Sequence, residues 1–565
     1  MKTIRQDGFD PVTTSAFCFE PIRPEQLDKL PPCRANCPSG TNIRDWIATV
    51  AQHDQVGLSK EEAYTRAWYA IVECNPFPAT MGRICPHPCE TDCNRKDKDG
   101  AIAVNALERF IGDWAIEEGL SLPVLEADAK SESVGVIGAG PAGLSFAYQM
   151  QRRGYVATVY DRHKAPGGML RYGIPNYRLP RKVLEAEVTR ISDLGVRLQM
   201  QTRVGTDLAL STLQSQHHVL FIGLGAQTGK QLGVAGEEGS GIWTGTDFLR
   251  RHNSGENIPL GTNVVVVGGG NTAIDVARVA RRKGADVTIL YRRTRDEMPA
   301  IDIEIDEALT EGVRIEYLSS PTAFFRTDSG DLTGIQVQRM RLCEPDDSGR
   351  ARPIPIEGAM FTVLASSIVT AISQDPDWSS LDALRPEGEW LQPADRPDSP
   401  ILAGGDVTGL NIASHAIAQG RAAAERVHAR LRGLPEPKIE PNGAAIGTER
   451  VKTDFYPTSP RVSIPELEVE KRLADPAREA SATISEDEFL QEIGRCLSCG
   501  SCFGCLHCWM YCNARGFTRL ESPLPGRYFA LSLDVCEGCG KCIDVCPCGY
   551  LGVLASDIEA RWLSA

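Results

Sequence analysis

The 565-residue chain lacks any apolar run approaching the roughly 18 residues that cross a bilayer, and its first residues, MKTIRQDGFD, lack the apolar core of a signal peptide. These absences predict a cytoplasmic protein with no membrane partner. An excess of positive charge is missing as well. Sixty Lys and Arg face 74 Asp and Glu, a formal net charge of −14, which leaves no footprint for a phosphate backbone and argues against nucleic acid as a partner. No cysteine lies between Cys93 and Cys343. The body of the chain therefore lacks the redox-active pair that a flavin disulfide reductase sets beside its flavin.

The 19 cysteines crowd at the two ends: seven between Cys18 and Cys93, eleven between Cys496 and Cys548. In a reducing cytosol so many thiols point to metal or redox chemistry rather than to disulfides. The length predicts three or four domains. Between about Val134 and Val427, β-rich runs (VGVIGAG, ATVYD, VVVVGGG, VTILY, ILAGGD) alternate with helical stretches, the pattern of an α/β protein with parallel sheets. The expected divisions are a helical domain over 1–125, a dinucleotide domain in two parts over 126–255 and 371–433, and a second dinucleotide domain over 256–370. An extended Pro-rich linker over 434–485 and a cysteine-rich module over 486–565 follow. Ser485 and Glu488 form a capping box that predicts a short helix ending near Gly494.

Two glycine fingerprints stand at strand-to-helix junctions. In GAGPAGL, Gly138 allows a tight turn, Gly140 lets a pyrophosphate approach and Gly143 lets the helix pack on its strand; Pro141 and Ala142 open that helix. Asp161, 23 residues beyond Gly138, can accept from a ribose hydroxyl. The second fingerprint is Gly268-x-Gly270-Asn271-Thr272-Ala273. Its second strand ends in Arg292 and Arg293 rather than an acid. A positive fork there suits the 2′-phosphate of NADP(H), with NAD(H) as the alternative and a solvated surface run as the other reading of the arginines.

The C-terminal run reads Cys502-x2-Cys505-x2-Cys508-x3-Cys512, then Cys536-x2-Cys539-x2-Cys542-x3-Cys546-Pro547, preceded by Cys496 and Cys499. This is bacterial ferredoxin spacing, in which three thiolates hold one [4Fe–4S] cube and the fourth crosses to the other. One cluster would take Cys502, Cys505, Cys508 and Cys546, the other Cys536, Cys539, Cys542 and Cys512. A zinc site built from CxxC pairs is the competing reading.

GAGPAGL, PGGMLRYGIPNYRLP with Gly168, and AGGD together resemble the glutamate synthase small-subunit (GltD-like) iron–sulfur flavoproteins. The C-terminal ferredoxin module resembles that of DsrL-type NAD(P)H:acceptor oxidoreductases. The resemblance implies FAD, with Asp406 on its ribityl chain and Gln419 near its pyrimidine, a nicotinamide nucleotide, and an N-terminal domain with two clusters. Relatives carry an R-C-x-x-C pair before the PPC motif, and here that form occurs only at Arg495–Cys499. The resemblance thus implies one cluster on Cys33, Cys93, Cys496 and Cys499, and another on Cys37, Cys85, Cys89 and Glu108. The alternatives are free thiols at Cys496 and Cys499 and a surface acid at Glu108. Cys18, Cys74, Cys343 and Cys548 are left over and read as small buried hydrophobes.

The implied function is NAD(P)H:acceptor oxidoreduction, with FAD and four [4Fe–4S] clusters passing electrons to a protein partner that docks near the ferredoxin module. That partner would be of the sulfite reductase or 2-oxoacid oxidoreductase type, the flow is reversible in principle, and no side chain is assigned as a catalytic acid or base. The alternatives are a glutamate synthase small subunit feeding an amidotransferase and a non-catalytic electron relay. A homodimer is compatible with the sequence.

Overall fold

The computed structural model describes residues 22–345, 349–388, 390–391, 400–438 and 443–553; Cys18 lies outside them. The chain forms two compact units, residues 32–444 with 458–496, and residues 1–31 with 445–457 and 497–565. Among the described residues no helix is long and apolar enough to cross a membrane.

The larger unit opens with α1 (Ile43–Ala51), α2 (Lys60–Val72), α3 (Pro78–Ile84) and α4 (Val104–Glu117). Apolar residues recur every three or four positions, so Trp46, Ile47 and Val50 of α1 bury one face with Ala67, Trp68 and Ile71 of α2. A capping box between Ser59 and Glu62 starts α2.

Two parallel five-stranded sheets follow. The first holds Ser133–Ile137 (β1), Val156–Tyr160 (β2), Arg197–Gln199 (β3) and Val219–Ile222 (β4). The second holds Ile242–Thr244 (β5), Asn263–Val267 (β6), Asp286–Leu290 (β7), Arg314–Glu316 (β8) and Ser367–Thr370 (β9), after which Ile401–Ala403 (β10) returns to the first. Their orders are β10-β4-β1-β2-β3 and β8-β7-β6-β9-β5. β5 pairs with β9, so the second sheet takes in residues ahead of the expected boundary at 256. Buried runs such as Val264–Val267 are apolar on both sides because both faces are covered, Val264 and Val266 packing with Ile274 and Ala277 of the helix Asn271–Arg282 and Val265 and Val267 with Phe324, Ile335 and Val337. A three-stranded antiparallel sheet, Ser319–Arg326, Leu332–Pro345 and Ala351–Leu364, is inserted between β8 and β9. Cys343 lies on it half-buried, its thiol donating to the Glu344 carbonyl at 3.8 Å, and so is not a core hydrophobe.

The expected boundary at 486 also moves. The capping box of Ser485 and Glu488 is present, but the helix it starts, Glu486–Gly494, packs into the N-terminal body. Phe489 stacks on Phe110 with centroids 4.1 Å apart, and Glu492 accepts from the Ala103 amide at 2.8 Å. Arg495 donates to the Asp99 carboxylate at 3.0 Å and to the Gly100 carbonyl at 2.8 Å. The residue before Cys496 is thereby fixed close in space to the segment just after Cys93.

In the smaller unit, Phe517–Leu524 and Arg527–Leu531 form an antiparallel hairpin, with short helices at His507–Tyr511 and Lys541–Val545. Pro24–Gln26 pairs antiparallel with Leu551–Val553, so this segment belongs here and not to the helical domain. Residues 445–457 of the expected linker join it too, through Ile446, Val451 and Tyr456 around Leu497.

Candidate cofactor sites

At the end of β1, Gly138 turns the chain with φ 109°, and a Cβ there would meet the Gly223 carbonyl oxygen at 2.3 Å. A Cβ on Gly143 would strike the Gly138 carbonyl oxygen at 2.0 Å. These two glycines serve the chain itself. Gly140 differs, because its φ of −83° suits any residue and the nearest atom to an added Cβ is Gly168 Cα at 3.9 Å. What the glycine preserves is open space before the N-terminus of the helix Pro141–Gln151, where unpaired N–H groups and the dipole favour a phosphate. Gly168, with φ 51°, forms the facing wall. Ala142 is buried within that helix.

Asp161, at the end of β2, accepts from the Ala139 amide at 2.7 Å and the His163 amide at 2.8 Å. Its carboxylate therefore braces the glycine loop, a role that composition could not suggest. Asp406 follows β10 and accepts from the Asn411 amide at 3.2 Å; burial, only partly offset by that bond, raises its pKa to about 6. Gln419, on the helix Ala413–Arg432, accepts from the Gly405 amide at 2.6 Å and so fixes the loop that carries Asp406. These residues suit a long dinucleotide: a phosphate cradle at one end and polar groups at the next strand end.

The second loop repeats the pattern. Gly268 has φ 142° and a Cβ there would meet the Ala371 carbonyl oxygen at 2.3 Å, whereas a Cβ on Gly270 would have only Pro299 Cγ nearby, at 4.0 Å. Asn271 and Thr272 open the helix Asn271–Arg282, Asn271 accepting from the Ile301 amide at 3.0 Å, and Ala273 is fully buried beneath. That helix is held by ion pairs, Asp275 to Arg178 at 2.7 Å and Arg278 to Glu311 at 2.7 Å. The arginine fork is divided. Arg292 is exposed, but Arg293 is buried and its Nε donates to the Ala351 carbonyl at 2.8 Å, while Arg295 pairs with Asp306 at 2.7 Å. Of the three, Arg292 is the one left exposed. Arg292→Glu is expected to raise KM for NADPH about 10- to 100-fold, the worth of one charge-assisted hydrogen bond, with little change for NADH. Steady-state KM values for both nucleotides check it, and equal losses would place Arg292 outside the pocket.

The thiols gather in fours. One pocket of the smaller unit is lined by Cys502, Cys505, Cys508 and Cys546, with Cys548 added, and a second by Cys512, Cys536, Cys539 and Cys542. A pocket of the larger unit is lined by Cys37, Cys85, Cys89 and Glu108. In it the imidazole Nε2 of buried His87 has no hydrogen-bond partner among the described residues. Glu108 accepts from Asn75 at 2.9 Å, and burial raises its pKa to about 8. Burial also pushes Cys85 and Cys542 up to about 12 and Cys502 to about 11. Thiols so desolvated ionise only with a cation to receive them, so metal loading there releases protons. Donor sets of this kind fit iron–sulfur cubes. Cys33, Cys93 and Cys496 pack against the core of the larger unit, and Cys499 against Leu497 and Tyr456 of the smaller. Cys74 is half-buried with its thiol 3.7 Å from the Gly40 carbonyl, and Cys548 is fully buried.

Residues 132–342 match the family described as pyridine nucleotide-disulphide oxidoreductase, and residues 26–120 that described as dihydropyrimidine dehydrogenase domain II, 4Fe-4S cluster. The glutamate synthase [NADPH] small chain of Azospirillum brasilense is 33% identical over 436 residues, 73% of this chain and 88% of that protein. The chain belongs to the glutamate synthase small-chain family. Within that family and around it, the NADPH-Fe(3+) oxidoreductase subunit beta of Geobacter sulfurreducens is 40% identical over 354 residues, 62% of this chain and 51% of its own length. The NADP(+)-dependent formate dehydrogenase subunit beta of Moorella thermoacetica is 37% identical over 443 residues, 72% of this chain and 61% of its own. The chain thus spans about half the length of the first of these relatives. The two family matches cover the glycine cradles and the N-terminal thiols from Cys33 to Cys93 with Glu108. Neither reaches the thiols from Cys496 onward.

Proposed function

We propose that the chain oxidises NADPH, with NADH as a poorer substrate, and delivers the electrons singly to a protein redox partner. The observation that carries this reading is the joint presence of two open glycine cradles and three pockets each lined by at least four candidate cluster donors. Bound FAD would supply hydride acceptance, and iron–sulfur cubes held by the thiols would supply one-electron transfer. The side chains bind and orient: the open face of Gly270 and the Arg292 guanidinium hold the nicotinamide nucleotide, and the open face of Gly140, Asp406 and Gln419 hold the flavin nucleotide. A fourth cube on Cys33, Cys93, Cys496 and Cys499 completes the set. The partner belongs to the sulfite reductase or 2-oxoacid oxidoreductase type and docks at the ferredoxin module, in a cytoplasmic setting.

Four cubes require about 16 irons and as many acid-labile sulfides per chain after anaerobic reconstitution. Chemical iron and sulfide counts test this, and a reproducible value near eight would remove one cysteine-rich end from the scheme. The second reading, a small subunit that feeds an amidotransferase, is favoured by the 88% coverage of the Azospirillum small chain. The module behind residue 500, with nine cysteines of which eight have ferredoxin spacing, speaks against it. Co-purification with a glutaminase-bearing chain in place of a redox protein would reverse that preference.

A further inference from the structure

One pocket of the smaller unit is lined by five thiols, Cys502, Cys505, Cys508, Cys546 and Cys548, and a cube binds four. The fifth is held firmly. Cys548 is 2% exposed, its Sγ lies 3.8 Å from Sγ of Cys546, and its carbonyl accepts from the Gly500 amide at 2.7 Å. The preceding Pro547 carbonyl accepts from the Lys452 amide at 2.8 Å, so both residues are pinned by other segments. Between an iron-bound thiolate and a free thiol, only the free thiol carries a proton to donate.

We propose that Cys548 is a positioning residue whose S–H donates to the Cys546 sulfur and raises the reduction potential of the cube on Cys502, Cys505, Cys508 and Cys546. The inference rests on the ferredoxin reading of this unit. Reduction adds negative charge that spreads onto the ligand sulfurs, so a donor aimed at one of them favours the reduced state. The companion pocket offers an internal comparison. It is lined by Cys512, Cys536, Cys539 and Cys542, and Ala514 stands two residues after Cys512 as Cys548 stands after Cys546. Its crossing thiolate, Cys512, accepts from the Gly516 amide at 3.3 Å, and no fifth thiol lines that pocket among the described residues. Two cubes with identical ligand types are thereby made unequal, and electrons settle on the cube beside Cys548.

The test is an EPR-monitored redox titration of the full reconstituted chain as wild type, Cys548→Ala and Cys548→Ser. The expected result is a downward shift of one midpoint in Cys548→Ala, with iron and sulfide unchanged, and a midpoint nearer the wild type in Cys548→Ser, which keeps a donor. Unmoved midpoints in Cys548→Ala would overturn the proposal, as would a loss of about four irons, which would make Cys548 a ligand. Should Cys548→Ala not fold, the infrared S–H band lost between wild type and Cys548→Ser decides. A band lowered in frequency is expected, and one at the free-thiol position refutes donation. A wild type showing no reduced-cube signals from this module would instead sink the ferredoxin reading itself.

Discussion

Gly140→Val is expected to fold as the parent does and yet retain less than about a tenth of its flavin. The reason lies in what surrounds each glycine of the first cradle. A side chain on Gly143 would collide with backbone at 2.0 Å, and the fold must yield. At Gly140 the backbone is extended, with φ −83° and ψ −178°, and an added Cβ finds no protein atom nearer than 3.9 Å among the described residues. A Cβ there enters the space before the helix N-terminus rather than the protein's own backbone. Exclusion from a close-packed cradle of this kind costs about 1.4–3 kcal/mol or more, which is about 10- to 150-fold in affinity. Flavin content by absorbance and thermal unfolding of the flavin-free proteins check both halves. An equal loss of stability in Gly140→Val and Gly143→Val would show that the first glycine also serves the fold. The same contrast is expected at Gly270 for nucleotide binding.

The second large effect concerns Cys496 and Cys499. Replacing both by Ser is expected to lower the iron count from about 16 to about 12, with one EPR centre lost and the flavin and the ferredoxin cubes retained. Ending the chain at Gln491 is expected to cost three clusters rather than two. The supporting geometry lies within the larger unit. Arg495 is 2% exposed and bound to Asp99 and Gly100, and Cys496, Cys33 and Cys93 pack against one core. Because a preformed site is absent from the unfolded chain, thiolate–iron bonds there also contribute to folding. A full iron complement in the double variant would show that the pair are free thiols.

Much of this was legible in the sequence because its signals are local. The x3 steps before Cys512 and Cys546 set the register of both cysteine runs, and the same quartets line separate pockets. The helices and the capping box at Ser485 follow from periodicity and one side-chain spacing. Long-range pairing has no such local signature. Pro24–Gln26 joins Leu551–Val553, and β5 joins β9, through backbone bonds that any extended segment could make. Arg293 differs from Arg292 only in which face of the chain it leaves, so its burial against the Ala351 carbonyl required the inserted sheet to be seen. Cys548 read as a hydrophobe because proximity to Cys546 follows from the turn after Pro547, not from ligand spacing.

In the proposed function, electrons enter from NADPH at the flavin and leave through iron–sulfur clusters. Anaerobic stopped-flow mixing of the reconstituted chain with NADPH, followed by freeze-quench EPR, tests it most directly. Bleaching of the flavin band, followed by the appearance of reduced-cluster signals, is the predicted course. A flavin that stays oxidised in NADPH and NADH while dithionite reduces every centre would contradict it, and would make the chain a relay with an unused nicotinamide fold.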